Sequence, residues 1–518
     1  MQNYTENTKR IAQNTMMLYG RMLFSMVVSL YTSRVILNAL GVVDYGIMGV
    51  VGGFVAMFSL ISTSLSASVI RFLTFELGRG DKDSLRAAFS TSLLIHILLA
   101  VLIFIVAETV GVWFVNNKMT IPADRMSAAN WVFQASVISF MFGLFSVPYN
   151  ASIVSHERMS AFAYIGIFDT ILRLLIVLFI AFSKWTFDKL VVYSILLTAV
   201  GIILQTIYLS YCRINFEECR LTLSFDKKLW KEISEFSLWN FIGCSAGILK
   251  EQGVNVLLNL FIGPVLNAAR GIAVSVNGAV GGFVNNFMTA LNPQITKSYA
   301  SGDIKYAHFL VERGSRFSFY ILLFCAVPLL LETEFILTVW LGDVPEHTLN
   351  FVRLVLILSL IDSVSNTLIT LQNATGNIRN YQIVVGGILL LNFPLSFACL
   401  KVGLPPESTY CVAIIVAAIC LFARLLFLRK TAMLPMEEFL RKVVCNVLLV
   451  SLCANIAPCI CSLILPVGWM RFLIVSIVSV ISTALSVIMI GCDQKERHFI
   501  CEKLRAIKNR LGYDSYPA

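Results

Sequence analysis

The chain has 518 residues, of which 58% are hydrophobic and only 14% are charged, whereas ordinary soluble domains carry about 25% charged residues. A soluble protein of this length would form about three domains with polar surfaces, and this composition lacks the charge to cover them. The mean hydropathy of +0.80 therefore indicates a membrane protein. It excludes a soluble enzyme, a secreted disulfide scaffold and a disordered chain.

The net charge of +10 does not indicate nucleic-acid binding, because membrane proteins concentrate Lys and Arg in their cytoplasmic loops. The 13 cysteines are scattered through apolar stretches, where a free cysteine behaves as a small hydrophobic residue. The closest pair, Cys459 and Cys461, has no His or acidic neighbour. We therefore expect no metal site and no disulfide. The polar start MQNYTENTKR also predicts no cleavable signal.

A spanning helix needs about 20 mostly apolar residues, and fourteen such stretches follow one another along the chain. Spans 1 to 14 are predicted at 11–38, 42–70, 87–112, 128–152, 162–183, 190–211, 234–262, 270–293, 315–338, 349–371, 383–401, 409–428, 444–466 and 470–491. Stretches of this length exclude a membrane β-barrel, whose strands are about ten residues of alternating pattern.

The positive charges predict the orientation of these spans. With the amino terminus inside, 27 of the 40 Lys and Arg residues fall in inner segments and seven in outer loops. This bias predicts that both termini are cytoplasmic. No outer loop contains paired carboxylates or a Ser/His arrangement, so we expect a transporter and not an enzyme. A membrane-embedded glycosyltransferase or ligase, which would need a catalytic dyad in an outer loop, is the less favoured alternative.

An internal repeat with an offset of 222 residues relates the two halves of the chain. The segment GVVDYGIMG at Gly41 aligns with GPVLNAARG at Gly263, and the same offset places Gly80 on Gly302 and Asp81 on Asp303. Six spans separate the copies, so the copies have the same orientation in the membrane. We predict an all-α polytopic protein with about 14 transmembrane helices, in which two parallel six-helix lobes are related by a pseudo-twofold axis.

The repeat also predicts the domain organisation. We expect an N-lobe at 1–211, an inter-lobe linker at 212–233, a C-lobe at 234–428, two appended spans at 429–491 and a basic cytoplasmic tail at 492–518. Two such lobes predict a cavity between them and transport by alternating access.

Charged residues inside spans are costly and are therefore candidates for function. Arg21 lies about 15 Å into span 1, near the midplane, and its planar fork suits a diphosphate; a role as an internally satisfied cation is the alternative. Arg34 lies near the outer end of span 1, where it can bind substrate or extend to the interface. Lys250 in span 7 is a candidate cavity cation, unless it pairs with Asp169 or Asp362.

Further polar residues extend this candidate site. Arg270 opens span 8 at the outer mouth, where it can meet a diphosphate or lipid headgroups. Asp362 and Asn366 belong to a polar stripe in span 10, and Asn285 belongs to another in span 8. These side chains suit hydrogen bonds to sugar hydroxyls, although polar packing between helices explains them equally well.

Two further intramembrane features favour structural roles. Asp169 and Arg173 are four residues apart in span 5, so they are expected to pair with each other. His96 stands alone in span 3 and is expected to be a satisfied interior histidine and not a proton carrier.

Several segments resemble one family. LGVVDYGIMGVVGG near Leu40 resembles the start of span 2 in polysaccharide flippases. NAARGIA at Asn267, NPQITKSYASGD at Asn292 and VPEHT at Val344 resemble the O-antigen and capsule branch of the multidrug, oligosaccharidyl-lipid and polysaccharide exporter superfamily. The resemblance covers essentially the whole chain. It implies a flippase that moves a polyprenyl-diphosphate-linked oligosaccharide from the inner to the outer leaflet of the bacterial cytoplasmic membrane.

The resemblance also implies the partners, which are the lipid-linked oligosaccharide, membrane lipids and a polysaccharide polymerase of the same pathway. No cofactor is expected, and a coupling ion, H⁺ or Na⁺, is unassigned. The main alternative is a cation-coupled multidrug exporter of the same superfamily. Many such exporters carry a carboxylate in span 1, whereas span 1 here contains two Arg and no Asp or Glu, which favours an anionic substrate.

Overall fold

The computed structural model describes residues 2–497 except 57, 118, 120, 184–187, 221–225, 262–263, 343 and 495, and within this range the chain forms helices and no strands. The long helices are α1 Gln2–Ala56, α2 Ser59–Arg79, α3 Lys82–Asn117, α4 Ala123–Ser155, α5 Met159–Phe182, α6 Lys189–Asn215, α7 Lys227–Phe261, α8 Pro264–Ala300, α9 Ile304–Leu331, α10 Thr348–Thr375, α11 Arg379–Lys401, α12 Ser408–Thr431, α13 Met436–Ile464 and α14 Trp469–Gly491. A short helix, Thr333–Leu341, follows α9. The predicted all-helical membrane class is confirmed.

Ten of the described helices are long and apolar enough to cross a membrane, namely α3 to α6 and α9 to α14. They coincide with the predicted spans 3 to 6 and 9 to 14. The other four predicted spans lie in α1, α2, α7 and α8, which are not among the ten. The total of fourteen spans therefore stays a prediction.

Helix α1 is interrupted at the predicted boundary between spans 1 and 2. Gly41 has φ 80° and ψ 168°, outside the helical region, although helix continues on both sides. Glycine adopts a positive φ at little steric cost because it has no Cβ. The predicted boundary between the first two spans thus falls at one glycine within α1.

The aligned pairs Gly80/Gly302 and Asp81/Asp303 form the same turn. Gly80 has φ +75° and Gly302 has φ +82°, and each glycine follows the end of a long helix. The following aspartate then begins the next helix: Asp81 accepts hydrogen bonds from the backbone N–H groups of Asp83 and Ser84, and Asp303 accepts one from Tyr306. A left-handed glycine followed by an aspartate N-cap is a favoured way to end one helix and start another.

The described chain divides into two compact units. Unit 1 contains residues 1–246, 289–307 and 373–383, and unit 2 contains 247–288, 308–372 and 384–518. In unit 1 the apolar cores bury side chains such as Phe89, whose ring meets that of Tyr149 edge-on at 5.3 Å. The lobe and linker boundaries expected from the sequence stay predictions, and the part of the predicted tail beyond residue 497 lies outside the described residues.

In unit 2 the last helix, α14, is attached to α9 at both of its ends. At its start, Arg471 lies 2.9 Å from a carboxylate oxygen of Glu332, the residue that follows α9 and is fully buried. At its end, the guanidinium of Arg316 in α9 donates a hydrogen bond of 2.8 Å to the carbonyl of Gly491. The appended helices are therefore fixed parts of unit 2.

Candidate functional site

A small cavity within unit 2 collects several of the predicted site residues. Its volume is about 60 Å³, and its polar lining includes Lys250, Glu251, Arg270, Asn277, Asp362 and Tyr410. We call it the unit-2 cavity. Three of the seven predicted site residues, Lys250, Arg270 and Asp362, therefore line one cavity.

Helical periodicity explains how the cavity is built. Arg270, Val274 and Asn277 line it from α8 at positions i, i+4 and i+7, which lie on one face of a helix. Ser359 and Asp362, three residues apart in α10, line it from another side. The hydroxyl of Ser359 donates to the side-chain oxygen of Asn277 and ties the two helices together.

Arg270 is the most constrained cation of this cavity. It is only 6% exposed, its Nη2 donates a 3.2 Å hydrogen bond to the carbonyl of Glu251, and its guanidinium lies 5.3 Å from the ring centroid of Tyr410. Among the described residues, its Nε and the hydroxyl of Tyr410 have no hydrogen-bond partner. Since buried polar atoms are normally hydrogen-bonded, these unpaired atoms indicate a place for a polar ligand or ordered water.

The charges of the cavity nearly balance. Lys250 is 9% exposed and shares the lining with Asp362 and Glu251, so two cations face two carboxylates. Ligand pockets for drug-sized molecules are typically about 300–1,000 Å³, whereas a cavity of about 60 Å³ holds only a few water molecules. A diphosphate-linked sugar would require this cavity to enlarge.

Arg21 belongs to unit 1 and packs against α5. Its guanidinium carbon lies 4.6 Å from the ring centroid of Phe162, and a Cβ at Gly166 would come within 2.7 Å of its Cδ. One turn further along, the hydroxyls of Ser25 and Thr170 lie 2.8 Å apart. Half-buried Arg21 thus lies over a glycine that leaves room for its side chain.

The other predicted residues fall outside the unit-2 cavity. Asn285 is exposed on α8, and Asn366 is half-buried on α10, where its carbonyl accepts a hydrogen bond from Thr370. The side chain of Arg34 in α1 lies outside the described residues. Substrate contacts for these three residues stay predictions.

One of the two expected structural features is confirmed, and the other is met in part. Arg173 Nε lies 2.7 Å from Asp169 Oδ1, so the predicted pair within α5 is confirmed. His96 is fully buried, and its Nδ1 lies 2.7 Å from the carbonyl of Ser92. Its Nε2 has no hydrogen-bond partner among the described residues, so the histidine is interior but satisfied at one nitrogen only.

Sequence reasoning missed Asn277, Ser359 and Tyr410. Asn277 could have been found, because it lies seven residues after Arg270 on the same helical face. Tyr410 comes from α12, and no spacing within the sequence connects it to α8. Within the described part of the chain, no group of three or more His, Cys, Asp or Glu side chains is arranged to hold a metal ion.

Solved structures share the fold of this chain. A crystal structure of MATE in complex with MaD3S superposes with a TM-score of 0.71 at 11% identity, covering 83% of this chain and 97% of that one. An outward-facing multidrug resistance MATE family transporter of the MOP superfamily superposes with a TM-score of 0.71 at 10% identity, covering 84% of this chain and 96% of that one. At such identities the likeness concerns the fold.

Sequence comparison identifies the family. A membrane protein of Bacillus subtilis (strain 168), EpsK, described as uncharacterized, is 20% identical over 329 residues. That match covers 62% of this chain and 63% of the relative, so the chain spans less than two-thirds of the relative's length. The family model for polysaccharide biosynthesis proteins matches residues 8–299, which is more than half of the chain. This multi-pass membrane protein with a MATE-like fold belongs to the polysaccharide biosynthesis protein family.

Proposed function

We propose that the protein flips a polyprenyl-diphosphate-linked oligosaccharide, such as an O-antigen or capsule repeat unit, from the inner to the outer leaflet of the cytoplasmic membrane by alternating access. Membership of the polysaccharide biosynthesis family supports a saccharide cargo. The charge bias of the loops supports an orientation with both termini in the cytoplasm.

The observation that carries the proposal is the unpaired Nε of buried Arg270 in the unit-2 cavity. An arginine fork binds phosphate oxygens through paired N–H donors, and this guanidinium keeps one donor without a partner among the described residues. Arg21 in unit 1 supplies a second intramembrane guanidinium. We assign the diphosphate to Arg270 and Lys250 in unit 2, retain Arg21 in unit 1 as a separate candidate for a diphosphate contact, and assign the sugar hydroxyls to the polar stripes of Asn285 and Asn366.

The membrane potential can assist this transport. A diphosphate carries about two negative charges and moves outward, away from the negative side of the membrane. At about 2.3 kcal/mol per charge and 100 mV, its crossing without counterions releases about 4.6 kcal/mol. The cavity must therefore hold the diphosphate against its desolvation and yet release it outside.

A cation-coupled multidrug exporter is the second candidate. The carboxylates of Glu251 and Asp362 line the unit-2 cavity, and such groups suit a cationic drug or a coupling ion. The solved MATE structures share the fold.

One experiment separates the two candidates. The chain is expressed in a strain whose own polysaccharide flippase gene has been deleted, and surface polysaccharide, accumulated lipid-linked oligosaccharide and drug susceptibility are measured together. The flippase proposal predicts restored polysaccharide, loss of that rescue in Arg270→Ala, and unchanged drug susceptibility. Drug resistance without rescue by a well-expressed protein would instead support the exporter.

A further inference from the structure

Glu157, in the turn between α4 and α5, is the centre of a charged cluster within unit 1. Its carboxylate is 1% exposed and receives Arg10 Nε at 2.9 Å and Lys297 Nζ at 2.7 Å. The side-chain amide of Gln294 donates to the same carboxylate, and the amide of Asn14 donates to the backbone carbonyl of Glu157 at 3.3 Å. We call Arg10, Glu157, Gln294 and Lys297 the inner latch, because the charge distribution predicts that this face is cytoplasmic.

The latch joins helices from both copies of the repeat. Arg10 lies in α1, whereas Gln294 and Lys297 lie near the end of α8, about 140 residues after the turn they contact. Glu157 itself has φ +58°, a backbone conformation that is uncommon for residues other than glycine. The turn is thus held in an unusual shape that presents its carboxylate to α1 and α8.

Neighbouring contacts show how closely α8 approaches the first repeat here. A Cβ placed on Gly78 in α2 would lie 2.7 Å from the carbonyl oxygen of Lys297 and 2.8 Å from the Cβ of Ala300. Such distances leave no room for a side chain, so the end of α8 lies directly on α2. A substrate that enters between these segments has to separate them.

A second cation reinforces the contact of α2 with segments of the second repeat. Arg71 of α2 donates to the carbonyls of Asn373 and Ala374 at the end of α10, at 3.2 and 3.3 Å. Its guanidinium also lies over the rings of Phe72 and Phe236. The last carbonyls of a helix carry partial negative charge. These two carbonyls of α10 therefore stabilise the charged guanidinium of Arg71.

The charges of the latch are unequal in a way that suits an anionic cargo. Two cations, Arg10 and Lys297, share one carboxylate, and a diphosphate offers more charge and more acceptor oxygens than a carboxylate does. Burial lowers the pKa of Lys297, while the adjacent Glu157 acts to raise it. An anion at this place therefore favours the charged form of the lysine.

We propose that the inner latch is the loading site of the lipid-linked substrate, where the diphosphate displaces Glu157 from Arg10 and Lys297 and thereby releases α8 from the turn. This inference rests on the proposed function and deepens it. It adds an entry step in which the same two cations first hold the entrance closed and then bind the headgroup. No covalent bond changes; one anion replaces another.

The test measures how accessible the latch is. Ser298, next to Lys297, is 7% exposed and is changed to cysteine in a background whose 13 native cysteines are replaced. Purified protein in detergent is labelled with a maleimide, and the rate is followed with Glu157 intact and with Glu157→Gln. Removing a charged hydrogen-bond partner should raise the labelling rate about tenfold.

Glu218 provides the matched control. It is a buried carboxylate that pairs with His156 Nε2 at 2.6 Å, and both residues belong to loops of the first repeat. Glu218→Gln should leave the labelling rate of the Ser298→Cys protein unchanged. An equal increase in both variants would mean that the label reports general loosening and would overturn the proposal.

Millimolar inorganic pyrophosphate is the ligand probe, with sodium chloride at equal ionic strength as its control. Pyrophosphate should accelerate labelling in the protein with the intact latch and should have no effect in Lys297→Met. Acceleration equal to that by sodium chloride, or slower labelling, would overturn the loading site. Polysaccharide rescue without a pyrophosphate response would reject this site alone, whereas a response without rescue would reject the flippase function.

Discussion

Arg125 and His347 lie 222 residues apart, which is the offset of the internal repeat. Each side chain contacts a carboxylate that directly precedes a later helix, and we call each of these contacts a clamp. Arg125 Nη1 lies 2.6 Å from Asp188, which begins α6, and His347 Nδ1 lies 2.7 Å from Glu407, which begins α12. Arg125 also binds Asp44, and Glu407 also accepts a hydrogen bond from Asn350. The repeat has therefore kept the position of this clamp while placing a histidine where the first copy has an arginine.

A histidine in place of Arg125 should make its clamp sensitive to pH. Arginine stays charged throughout, whereas histidine changes its charge between about pH 5 and 8. Arg125→His should leave thermal stability near the wild-type value at pH 5 and lower it by pH 8, because the added imidazole loses its charge as the pH rises. Thermal unfolding in detergent across this range measures the effect, and a pH-independent loss would contradict it. His347→Arg is the reciprocal control.

Asp188 and Glu407 should weaken both clamps at acid pH. Burial acts to raise the pKa of each carboxyl, but hydrogen bonds from Arg125 to Asp188, and from Asn350 and His347 to Glu407, outweigh it and lower both pKa values. A carboxyl whose pKa is lowered in the folded protein stabilises the folded state at pH values above its ordinary pKa. That contribution is lost as the pH falls through the lowered pKa. Unfolding temperatures should therefore drop below about pH 4, and less so in Asp188→Asn.

Arg21 should be indispensable for export if it contacts the diphosphate. Arg21→Ala should abolish export without lowering expression, and Arg21→Lys should retain part of it, because lysine keeps the charge but loses the fork. Surface polysaccharide per unit of membrane protein is the measurement. A normal export rate in Arg21→Ala would exclude this assignment even if the flippase function held.

The position of Arg21 can be disturbed without changing its charge. An alanine at Gly166 would place its Cβ 2.7 Å from the Arg21 Cδ, so Gly166→Ala should displace the guanidinium and slow export about tenfold. Gly201→Ala, also within a helix of unit 1, introduces a methyl group with nothing within 4 Å and should have no effect. Equal activity of the two variants would show that Arg21 has no positional role.

Variants of Lys250 and Asp362 can show whether Lys250 binds the diphosphate or only neutralises Asp362. If Lys250 only neutralises Asp362, Lys250→Met should be inactive, and the double variant with Asp362→Asn should recover export. If Lys250 binds the diphosphate, the double variant should stay inactive. Export and protein yield of all three variants decide between these roles, and we expect the second result.

The buried Arg471–Glu332 pair that attaches α14 should contribute more to the free energy of unfolding than the Asp169–Arg173 pair within α5. Arg471→Ala leaves the fully buried Glu332 without its cation, and breaking a buried pair typically costs about 3–5 kcal/mol. Arg173→Ala breaks a pair whose arginine is 50% exposed and should cost less than about 1 kcal/mol. Denaturation in detergent compares the two, and Glu332→Gln combined with Arg471→Ala should recover part of the loss.

Local features of this fold were predictable, and long-range contacts were not. The Asp169–Arg173 pair follows from a spacing of four residues, because short-range geometry determines it. The alignment offset correctly paired Gly80 with Gly302, which have the same left-handed conformation. Lys250 and Asp362 were recognised as costly charges in apolar helices. Their meeting in one cavity depends on how α7 and α10 pack, which periodicity does not determine.

Glu157 could not have been recognised as a site residue from the sequence. In the sequence it is one acidic residue in a short polar turn, with no partner at helical spacing. Its importance comes from Arg10, far earlier in the chain, and from Lys297, which follows it by 140 residues. Burial of a carboxylate at such a turn emerges only when three distant segments come together.

The charged residues within α1, α2 and α7 have a consequence for how the protein is made. A central Arg or Lys adds about 2.5–3.5 kcal/mol to the insertion of an isolated helix, and Arg21, Arg71 and Lys250 lie within α1, α2 and α7. We expect α1 and α2 to be retained beside the translocon until α3 to α6 have emerged, and α7 to wait for α9 to α12. Each half of the chain would then enter the bilayer as a group, and synthesis arrested after α2 would yield a segment that is easily extracted from the membrane.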